Sequence, residues 1–451
     1  NTPVPLDEVQ GRLRAAGTDT ERARLWSATL SSARDLKAGY TTVRDLRNQA
    51  ALKAGFDNHH VQVLTPLGFK PDEAQLFLRK VEVALRPLYR QLHTWIRYEL
   101  AERYGRSSQV PQMLPVHWLD DPLGATWTTS ANLGVPPAAP RLSEIGVQKM
   151  LQQADAFFGG LGLAPLPDTV WNASSLYPSD PGSRYQKTPG ASTWDINLRD
   201  DVRLLLSATP DDTWMHAAHR ELAYAHVLLE QKKTPPPLRA LPTPVLSTAL
   251  AVWSDLAASR PARLATLGLI EPSLIPSDDL LLLEEALVWL PFLHFAAGTV
   301  ASFEREVYGE SLQPERLTSR WWEIVAEHQG VVPPETRTER WADPLFHPAL
   351  IDAPGRELEL ALAALVAFQI HEKIATDAGV DPHTADVSVL SGGGVVFKKL
   401  AQQALITDWR RAVEDVLGAP PSADAVVRYF EPLGAWLQER NDQRIITLPK
   451  L

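Results

Sequence analysis

Side chains that could bind a metal or move a proton are concentrated in one helical stretch near the middle of the chain. His216, His219 and His226 are spaced by three and seven residues, which places them on roughly one face of a helix, and Glu221 lies among them. Imidazole is a common metal ligand, so a histidine metal site is one interpretation. Histidines that pack in a core or lie exposed are far commoner, and we favour that second interpretation.

The composition excludes several other kinds of chemistry. The 451-residue chain has no cysteine, which rules out disulfides, thiolate catalysis and cysteine-ligated metal. Its net charge is −10, and no cluster of Lys or Arg indicates a nucleic-acid surface. The best apolar run, from Leu280 to Leu290, is interrupted by Glu284 and Glu285, so no membrane span is predicted.

Helices must position these residues, because the dominant hydrophobic period is helical. Short strands are predicted only near 192–198. The 37 prolines cluster between the helices, which is typical of short connections. No repeat or strong domain boundary is visible, and the pattern predicts one mostly helical, two-lobed body. The predicted helices cover 71–104, 142–158, 211–231, 245–259, 277–306, 314–328, 357–379, 394–416 and 423–440, with a helix or helix pair over 21–54.

Several motifs, in a fixed order, resemble those of one peptidase family over nearly the whole chain. They are Ala191-Ser-Thr-Trp-Asp195, Trp321-Trp322 followed by Gln329-Gly330, Phe368-Gln-Ile-His-Glu372 and Tyr429-Phe-Glu-Pro-Leu433. Each motif alone is weak, but in this order they resemble the angiotensin-converting-enzyme-like peptidyl-dipeptidases of peptidase family M2. The resemblance implies an all-α, zincin-like fold with a few short strands near the active site, two lobes, a deep central channel and a zinc site.

The zinc motif of that family is altered in this chain. Such peptidases use His-Glu-x-x-His on a helix, where the Glu activates a metal-bound water, and the resemblance implies a further Glu ligand 28 residues after the first His. In this register the motif reads Arg220-Glu-Leu-Ala-Tyr224, and Thr248 takes the third ligand position. Arg is a permanent cation, and neither Tyr nor Thr is a usual zinc ligand. The sequence therefore predicts loss of zinc, with Glu221 retained but idle at the general-base position.

Other positions that the resemblance assigns to catalysis or substrate binding have also changed. Gly190, beside Ala191, takes the place of a substrate-binding His. No Tyr occurs between Tyr308 and Tyr429, so the family's catalytic and carboxylate-binding tyrosines are lost in any register. His347 is a candidate for the transition-state His. Because the zinc ligands and the substrate-binding residues are lost together, the sequence predicts loss of the peptidase activity.

Two interpretations of Arg220 stay open. It could stack on Tyr224, one helical turn away, and plug the former metal cavity. Alternatively, its charge could capture a peptide carboxylate or another anion. The first interpretation is favoured.

The sequence thus predicts a catalytically inactive, zinc-free M2 homologue without a cofactor, which acts by binding a peptide or protein in the channel. A working hydrolase with a displaced site on Glu221 and nearby histidines, and a structural subunit of an assembly, are the alternatives. We also expect one family domain over 1–451, with the N-terminal lid helices shortened or absent, and an extracytoplasmic (periplasmic or secreted) location. The candidate ligand-binding residues are Gly190, Ala191, Arg220, Tyr224 and Thr248.

Overall fold

The computed structural model describes residues 6–131, 133–134, 137–180, 182–187, 190–199, 201–232, 235, 244–403 and 408–451. Helix makes up 66% of the structure and strand only 3%. The predicted all-α fold class is therefore confirmed.

Short helices and long ones alternate along the chain, with 3-10 turns between several of them. In chain order they are α1 (Leu6–Ala15), α2 (Asp19–Leu30), α3 (Lys37–Lys53), α4 (His59–Leu64), α5 (Pro71–Arg103), α6 (Ala139–Gly160), α7 (Asp168–Asn172), α8 (Asp212–Gln231), α9 (Pro244–Ala258), α10 (Pro261–Thr266), α11 (Asp278–Leu293), α12 (Ala301–Glu304), α13 (Leu317–Gln329), α14 (Pro348–Asp352), α15 (Arg356–Ala378), α16 (Ser391–Gln403), α17 (Trp409–Leu417) and α18 (Asp424–Arg440).

Local sequence explains where the longest helix begins. Pro71 opens α5, because its missing N–H is not needed in a first turn, and Asp72 and Glu73 complement the positive end of the helix dipole. The Glu73 side chain also accepts a hydrogen bond from the Lys70 backbone N–H at 3.3 Å. The helix predicted over 71–104 thus begins at the predicted residue, and it ends at Arg103, one residue earlier than predicted.

Two predicted helices are divided in the structure, and the predicted helix or helix pair over 21–54 is a pair. The stretch 21–54 contains α2, a 3-10 turn (Ser31–Leu36) and α3. The stretch 394–416 contains α16 and α17, between which residues 404–407 lie outside the described residues. Within α6 the backbone breaks at Gly146, whose φ of 76° lies in the left-handed region that glycine tolerates. Hydrophobic periodicity does not detect such breaks, because the apolar face continues across them.

The chain folds into two compact units, in agreement with the predicted two lobes. The first unit comprises Asn1–Leu133, Asp279–Ala361 and Phe430–Leu451, and the second comprises Gly134–Asp278 and Leu362–Tyr429. The central channel implied by the resemblance stays a prediction.

Each unit has its own aromatic core. Tyr89, Trp127 and Trp321 are fully buried in the first unit, and Phe157 and Trp253 are fully buried in the second. Burial of an aromatic side chain removes a large apolar area from water, so these residues contribute strongly to the stability of each unit.

One helical stretch in the structure is long and apolar enough to cross a membrane. It covers Asp278–Gly309, and 61% of its apolar window is buried inside the structure. It is longer than the run from Leu280 to Leu290, because the chain continues through two π-helical turns, His294–Val300 and Arg305–Gly309, on either side of α12. Its burial is that of a core helix in a globular protein.

The strands are short and form two pairs. In the first unit, β1 (Leu114–Pro115) pairs in parallel with β4 (Val331–Val332). In the second unit, β2 (Ser192–Asp195) and β3 (Val202–Leu205) form an antiparallel hairpin that contacts α8. The predicted strand near 192–198 is present as β2, beside α8. The prediction that strands occur only there is wrong, because β1, β3 and β4 lie outside that stretch; strands of two to four residues are too short to show an alternating pattern.

Candidate functional site

Helices α8 and α9 in the second unit carry the positions that the resemblance assigns to zinc. Asp211 caps α8 by accepting a hydrogen bond from the Trp214 backbone N–H at 3.0 Å. Helix α9 starts at Pro244 and is apolar on nearly all sides, as expected for a core helix. The proline-rich connection at 233–243 lies outside the described residues, apart from Pro235.

Side chains pair across α8 and α9 in a ladder that shows the two helices to be antiparallel. Tyr224 Oη donates to Thr248 Oγ1 at 3.1 Å. One turn earlier on α8, Arg220 Nη1 donates to Asp255 Oδ2 at 2.5 Å. A further turn earlier, His216 Nδ1 lies 2.6 Å from Asp255 Oδ1. All three candidate residues on the ligand positions therefore face one seam between these helices.

Asp255 is the electrostatic centre of this seam. Burial alone would raise the pKa of Asp255, but the charge and hydrogen bond of His216 and the charge of Arg220 outweigh it and hold that pKa well below its usual range. The same carboxylate raises the pKa of His216 above its ordinary value, against the opposing effect of burial. Arg220 and His216 keep 40% and 44% of their side-chain surface exposed, so the cationic side of the cluster stays open to a ligand.

Ser259 completes a Ser, His and Asp group at the same seam, but it is not a catalytic triad. Ser259 Oγ lies 2.9 Å from His216 Nδ1, the same ring nitrogen that Asp255 contacts. A triad needs the hydroxyl and the carboxylate on opposite nitrogens of the ring, because one accepts the proton while the other orients the imidazole. In this group two oxygens share a single ring nitrogen.

Glu221 points to the hairpin rather than to the seam. The Thr193 hydroxyl on β2 contacts Glu221 twice, at 2.6 Å from Oε2 and 2.9 Å from the backbone oxygen. Glu221 is only 8% exposed. The Glu221 carboxylate thus accepts a hydrogen bond from the Thr193 hydroxyl through Oε2.

Gly190 and Ala191 lead into β2. Gly190 is exposed and has a φ of 133°, a conformation that L-residues rarely adopt, although a β-carbon there would meet no atom within 4 Å. Ala191 is half-buried. Backbone conformation, rather than space, therefore disfavours a larger residue at position 190.

Comparison with known proteins identifies the family. A family model for peptidase M2, described as angiotensin-converting enzyme, matches residues 3–447. The chain belongs to this family. Angiotensin-converting enzyme of Rattus norvegicus is 26% identical over 400 residues, which cover 84% of this chain and 30% of that protein. The angiotensin-converting enzyme-related protein of Drosophila melanogaster is 28% identical over 382 residues, which cover 80% of this chain and 60% of that protein. The matched part of this chain thus spans less than two thirds of either relative.

The side chains at the three positions that the resemblance assigns to zinc are not of the types that bind this ion. Zinc sites in proteins are built from imidazole, thiolate and carboxylate groups. Arg220 has no lone pair to offer and pairs with Asp255, while the hydroxyls of Tyr224 and Thr248 are bonded to each other. Over the part of the chain that the structure describes, no group of three or more His, Asp or Glu side chains is arranged to hold a metal ion.

The other histidines of α8 do not form a joint site among the described residues. His219 is buried, its Nδ1 lies 2.8 Å from the Met215 backbone oxygen, and its ring packs against Phe157. His226 packs against Phe158. Burial lowers the pKa of both rings to about 4, so they are neutral at physiological pH. These contacts are those of packing residues, which was the favoured interpretation.

His347 lies in the first unit and has its own acidic partner. Its Nε2 is 2.9 Å from Glu357 Oε1, and its ring makes an edge contact with Phe295. The role of a transition-state His at this position stays a prediction.

Two residues at the site were missed by the sequence reasoning. Asp255 is the acid in an otherwise apolar helix, and a lone charge in such a helix is a signal that a buried partner exists. The family that the chain resembles has Ala-Ser-Ala-Trp-Asp where this chain has Ala191-Ser-Thr-Trp-Asp195. Thr193 therefore adds a hydroxyl group that the family motif lacks. The spacing along the sequence does not predict the partner of either residue, because 35 residues separate Asp255 from Arg220 and 28 separate Thr193 from Glu221.

Proposed function

We propose that this chain is a zinc-free M2 homologue that binds peptides and lacks peptidyl-dipeptidase activity. One observation carries the proposal: the three ligand positions hold an Arg220–Asp255 ion pair and a Tyr224–Thr248 hydrogen bond. A zinc ion there would have to displace both interactions and then lie beside a guanidinium cation.

The surroundings of Glu221 support the same proposal. In a zinc peptidase this carboxylate removes a proton from metal-bound water. Among the described residues no group of side chains is arranged to hold the metal that would bind such a water, and the Thr193 hydroxyl is bonded to one carboxylate oxygen. Glu221 therefore acts as an anchor between α8 and β2.

Peptide binding is supported by the edge of β2 opposite β3, which no described strand covers. The Ile196 backbone N–H donates to the Asp201 oxygen at 2.8 Å, so the alternation of an antiparallel pair turns the backbone groups of Thr193 and Asp195 away from β3. An extended peptide adds to such an edge through its own backbone hydrogen bonds. The exposed side of Arg220 and His216 supplies positive charge in the same unit.

Metal analysis tests the zinc-free part of the proposal. The protein is purified without chelator, and its zinc is measured by mass spectrometry of the metal. We expect far less than one zinc per chain after buffer exchange. One tightly held zinc per chain would overturn the proposal.

Peptide digestion separates this proposal from the displaced-site hydrolase. Peptide mixtures of random sequence are incubated with the chain, with and without added zinc, and released dipeptides are measured by mass spectrometry. We expect no release. Release that is abolished by Glu221→Gln would show that the displaced site is real and the binding-only function wrong.

Equilibrium dialysis tests peptide binding directly. Random hexapeptide mixtures are compared with the same mixtures carrying an N-methyl group on every backbone amide, which leaves no N–H to pair with a strand edge. We expect the unmodified mixtures to be enriched on the protein and the methylated ones not to be. Equal recovery of both would exclude addition at β2.

We also propose an extracytoplasmic location, by analogy with the habit of the family. Fractionation of cells that express the full natural protein tests it. Recovery in the cytosol alone would overturn it.

A further inference from the structure

A second group of polar residues lies in the first unit, away from the zinc motif. Ser302 Oγ on α12 is 3.3 Å from Nε2 of His328, which lies near the end of α13. The other ring nitrogen, Nδ1, lies 2.5 Å from Oε1 of Glu82 on α5. Serine and carboxylate thus contact opposite nitrogens of one imidazole, unlike the Ser259, His216 and Asp255 group.

This arrangement determines the tautomer of His328. The Glu82 carboxylate only accepts hydrogen bonds, so His328 Nδ1 must carry the proton. The unprotonated Nε2 then accepts the hydrogen bond of the Ser302 hydroxyl. A serine whose proton points at a carboxylate-oriented imidazole is the activated nucleophile of many acyl-transfer enzymes.

The surrounding backbone holds the group in place. Gly298 makes room for it, because a β-carbon there would lie 2.7 Å from His328 Nδ1 and 2.8 Å from Glu82 Oε1. Arg86 donates to the backbone oxygens of His328 and Glu327, which fixes the end of α13. Ser302 lies on the single helical turn between the two π-helical segments, and such segments are frequent at functional sites.

Ser302 and Glu82 line a cavity of about 680 Å³, large enough for a small ligand. Its wall is largely apolar and includes Leu64, Leu76 and Leu358, and it also presents Arg79, Arg305 and His60. Burial and the charge of Arg305 lower the pKa of His60 to about 4, so this ring is neutral at pH 7. Its N–H and the two guanidinium groups are donors that could stabilise an oxyanion.

We propose that Ser302, His328 and Glu82 form a serine hydrolase centre for small carboxylic esters with an apolar acyl group. Ser302 Oγ attacks the ester carbonyl carbon while its proton moves to His328 Nε2. The carbon–oxygen bond of the ester breaks, the leaving alcohol takes that proton, and an acyl group stays on Ser302. Water, deprotonated by His328, then releases the acid. Glu82 is the positioning residue of this centre. The activity goes beyond the proposed peptide binding and does not depend on it.

A fluorophosphonate probe tests the nucleophile. The whole chain is labelled at pH 7.5 and the modified residue is mapped by peptide mass spectrometry. We expect one adduct, on Ser302, that is lost in Ser302→Ala. Ser259→Ala is the matched control, because that serine contacts a histidine without the triad arrangement, and it should label as the unchanged protein does.

The base and its positioning residue are tested by labelling rate. We expect His328→Gln to slow labelling of Ser302 by at least ~100-fold, the usual contribution of a general base. Glu82→Gln should also slow labelling, because a neutral amide holds the proton on Nδ1 of His328 less strongly than a carboxylate does. Glu82→Asp keeps the carboxylate and should retain part of the rate.

Hydrolysis of p-nitrophenyl butyrate provides the turnover measurement. We expect hydrolysis by the unchanged protein, none by Ser302→Ala and full activity in Ser259→Ala, with all variants unfolding at the same temperature. The proposal would be overturned by the absence of a Ser302 adduct, by an adduct on another residue only, or by equal labelling rates in the unchanged protein and both His328→Gln and Glu82→Gln.

Discussion

Glu221 joins α8 to the β2–β3 hairpin. Its carboxyl group is nearly buried, and the Thr193 hydroxyl on β2 is bonded to it. A buried acceptor that loses its donor costs free energy, since no water replaces the lost hydrogen bond. The pair therefore contributes to holding the hairpin on α8.

Thr193→Val should lower the free energy of unfolding by about 1–2 kcal/mol, because it removes the hydroxyl but keeps the β-branched shape. Urea unfolding followed by tryptophan fluorescence measures this loss. Thr193→Ser is the control, since it keeps the hydroxyl and should retain most of the stability. Equal stability of the Val and Ser variants would show that the contact contributes nothing.

Arg220 pairs with a residue on another helix. The sequence suggested a stack on Tyr224, because the two residues are one helical turn apart. The structure pairs Arg220 with Asp255 on the neighbouring helix, and Tyr224 with Thr248. Spacing within one helix identifies neighbours on that helix only, so the cross-helix partner was not predictable.

His216 should make stability depend on pH above neutrality. Its folded pKa lies above the ordinary value of 6.5, so the folded chain binds this proton more tightly than the unfolded chain does. Its contribution is therefore complete below about pH 6.5 and is lost as pH rises through the raised pKa. The charged groups facing the ring are Asp255, Arg220 and Asp212.

Urea unfolding at several pH values tests this dependence. The difference in free energy of unfolding between the unchanged protein and His216→Gln should shrink as pH rises above about 6.5. In an Asp255→Asn background the same substitution should show little pH dependence, since the main cause of the raised pKa is gone. A difference that grows with pH would contradict the assignment.

Helices α8 and α9 carry the three positions that the resemblance assigns to zinc, and these positions face one seam. The hydroxyls of Tyr224 and Thr248 lie 3.1 Å apart across the seam, so side chains at these two positions point towards each other. The helices themselves are ordinary: α8 is capped by Asp211, and α9 is apolar.

Restoring the ligands should therefore restore zinc binding. The triple variant Arg220→His, Tyr224→His and Thr248→Glu should retain about one zinc per chain through gel filtration. Its free energy of unfolding should rise by about 2.7 kcal/mol at a zinc concentration 100-fold above the dissociation constant. The matched control carries Ala at the same three positions and should bind no zinc. Failure of the His/His/Glu variant would place the ligand register elsewhere.

Most elements followed from the sequence, and the deviations have local causes. The predicted helix over 245–259 is α9, and the one over 357–379 is α15. The helix predicted over 277–306 instead continues to Gly309 through π-helical turns, which an apolar pattern cannot distinguish from an ordinary helix.

At the scale of the whole molecule, buried ionisable groups set the pH range of stability. Burial lowers the pKa of eight described histidines, six of them to about 4 or below, so each favours folding more as pH rises towards 6.5, the value in the unfolded chain. Burial also raises the pKa of Glu284 to about 7 and of Glu304 to about 8, so these two favour folding less as pH rises through those values. The six histidines, with a pKa of about 4, or about 3 for the last, are His60, His93, His219, His226, His294 and His371.

We therefore expect the free energy of unfolding to be greatest at about pH 6.5–7. Urea unfolding across pH 4 to 9 at constant ionic strength measures it. Stability should fall steeply on the acid side, because the histidines that are buried and neutral in the folded chain become charged in the unfolded chain. It should fall more gently on the alkaline side. A maximum below about pH 5.5, or stability still rising at pH 9, would contradict this account.

The helical class and the M2 family follow from periodicity and from the order of motifs along the chain. Which side chains meet depends on how the elements pack. Asp255 joins Arg220, and Thr193 joins Glu221, across separate elements. Glu82 and His328 are 246 residues apart in sequence. Such pairs form because packing of the helices brings buried polar groups together, and a buried polar group is stable only with a partner; nothing in their spacing along the chain records that requirement.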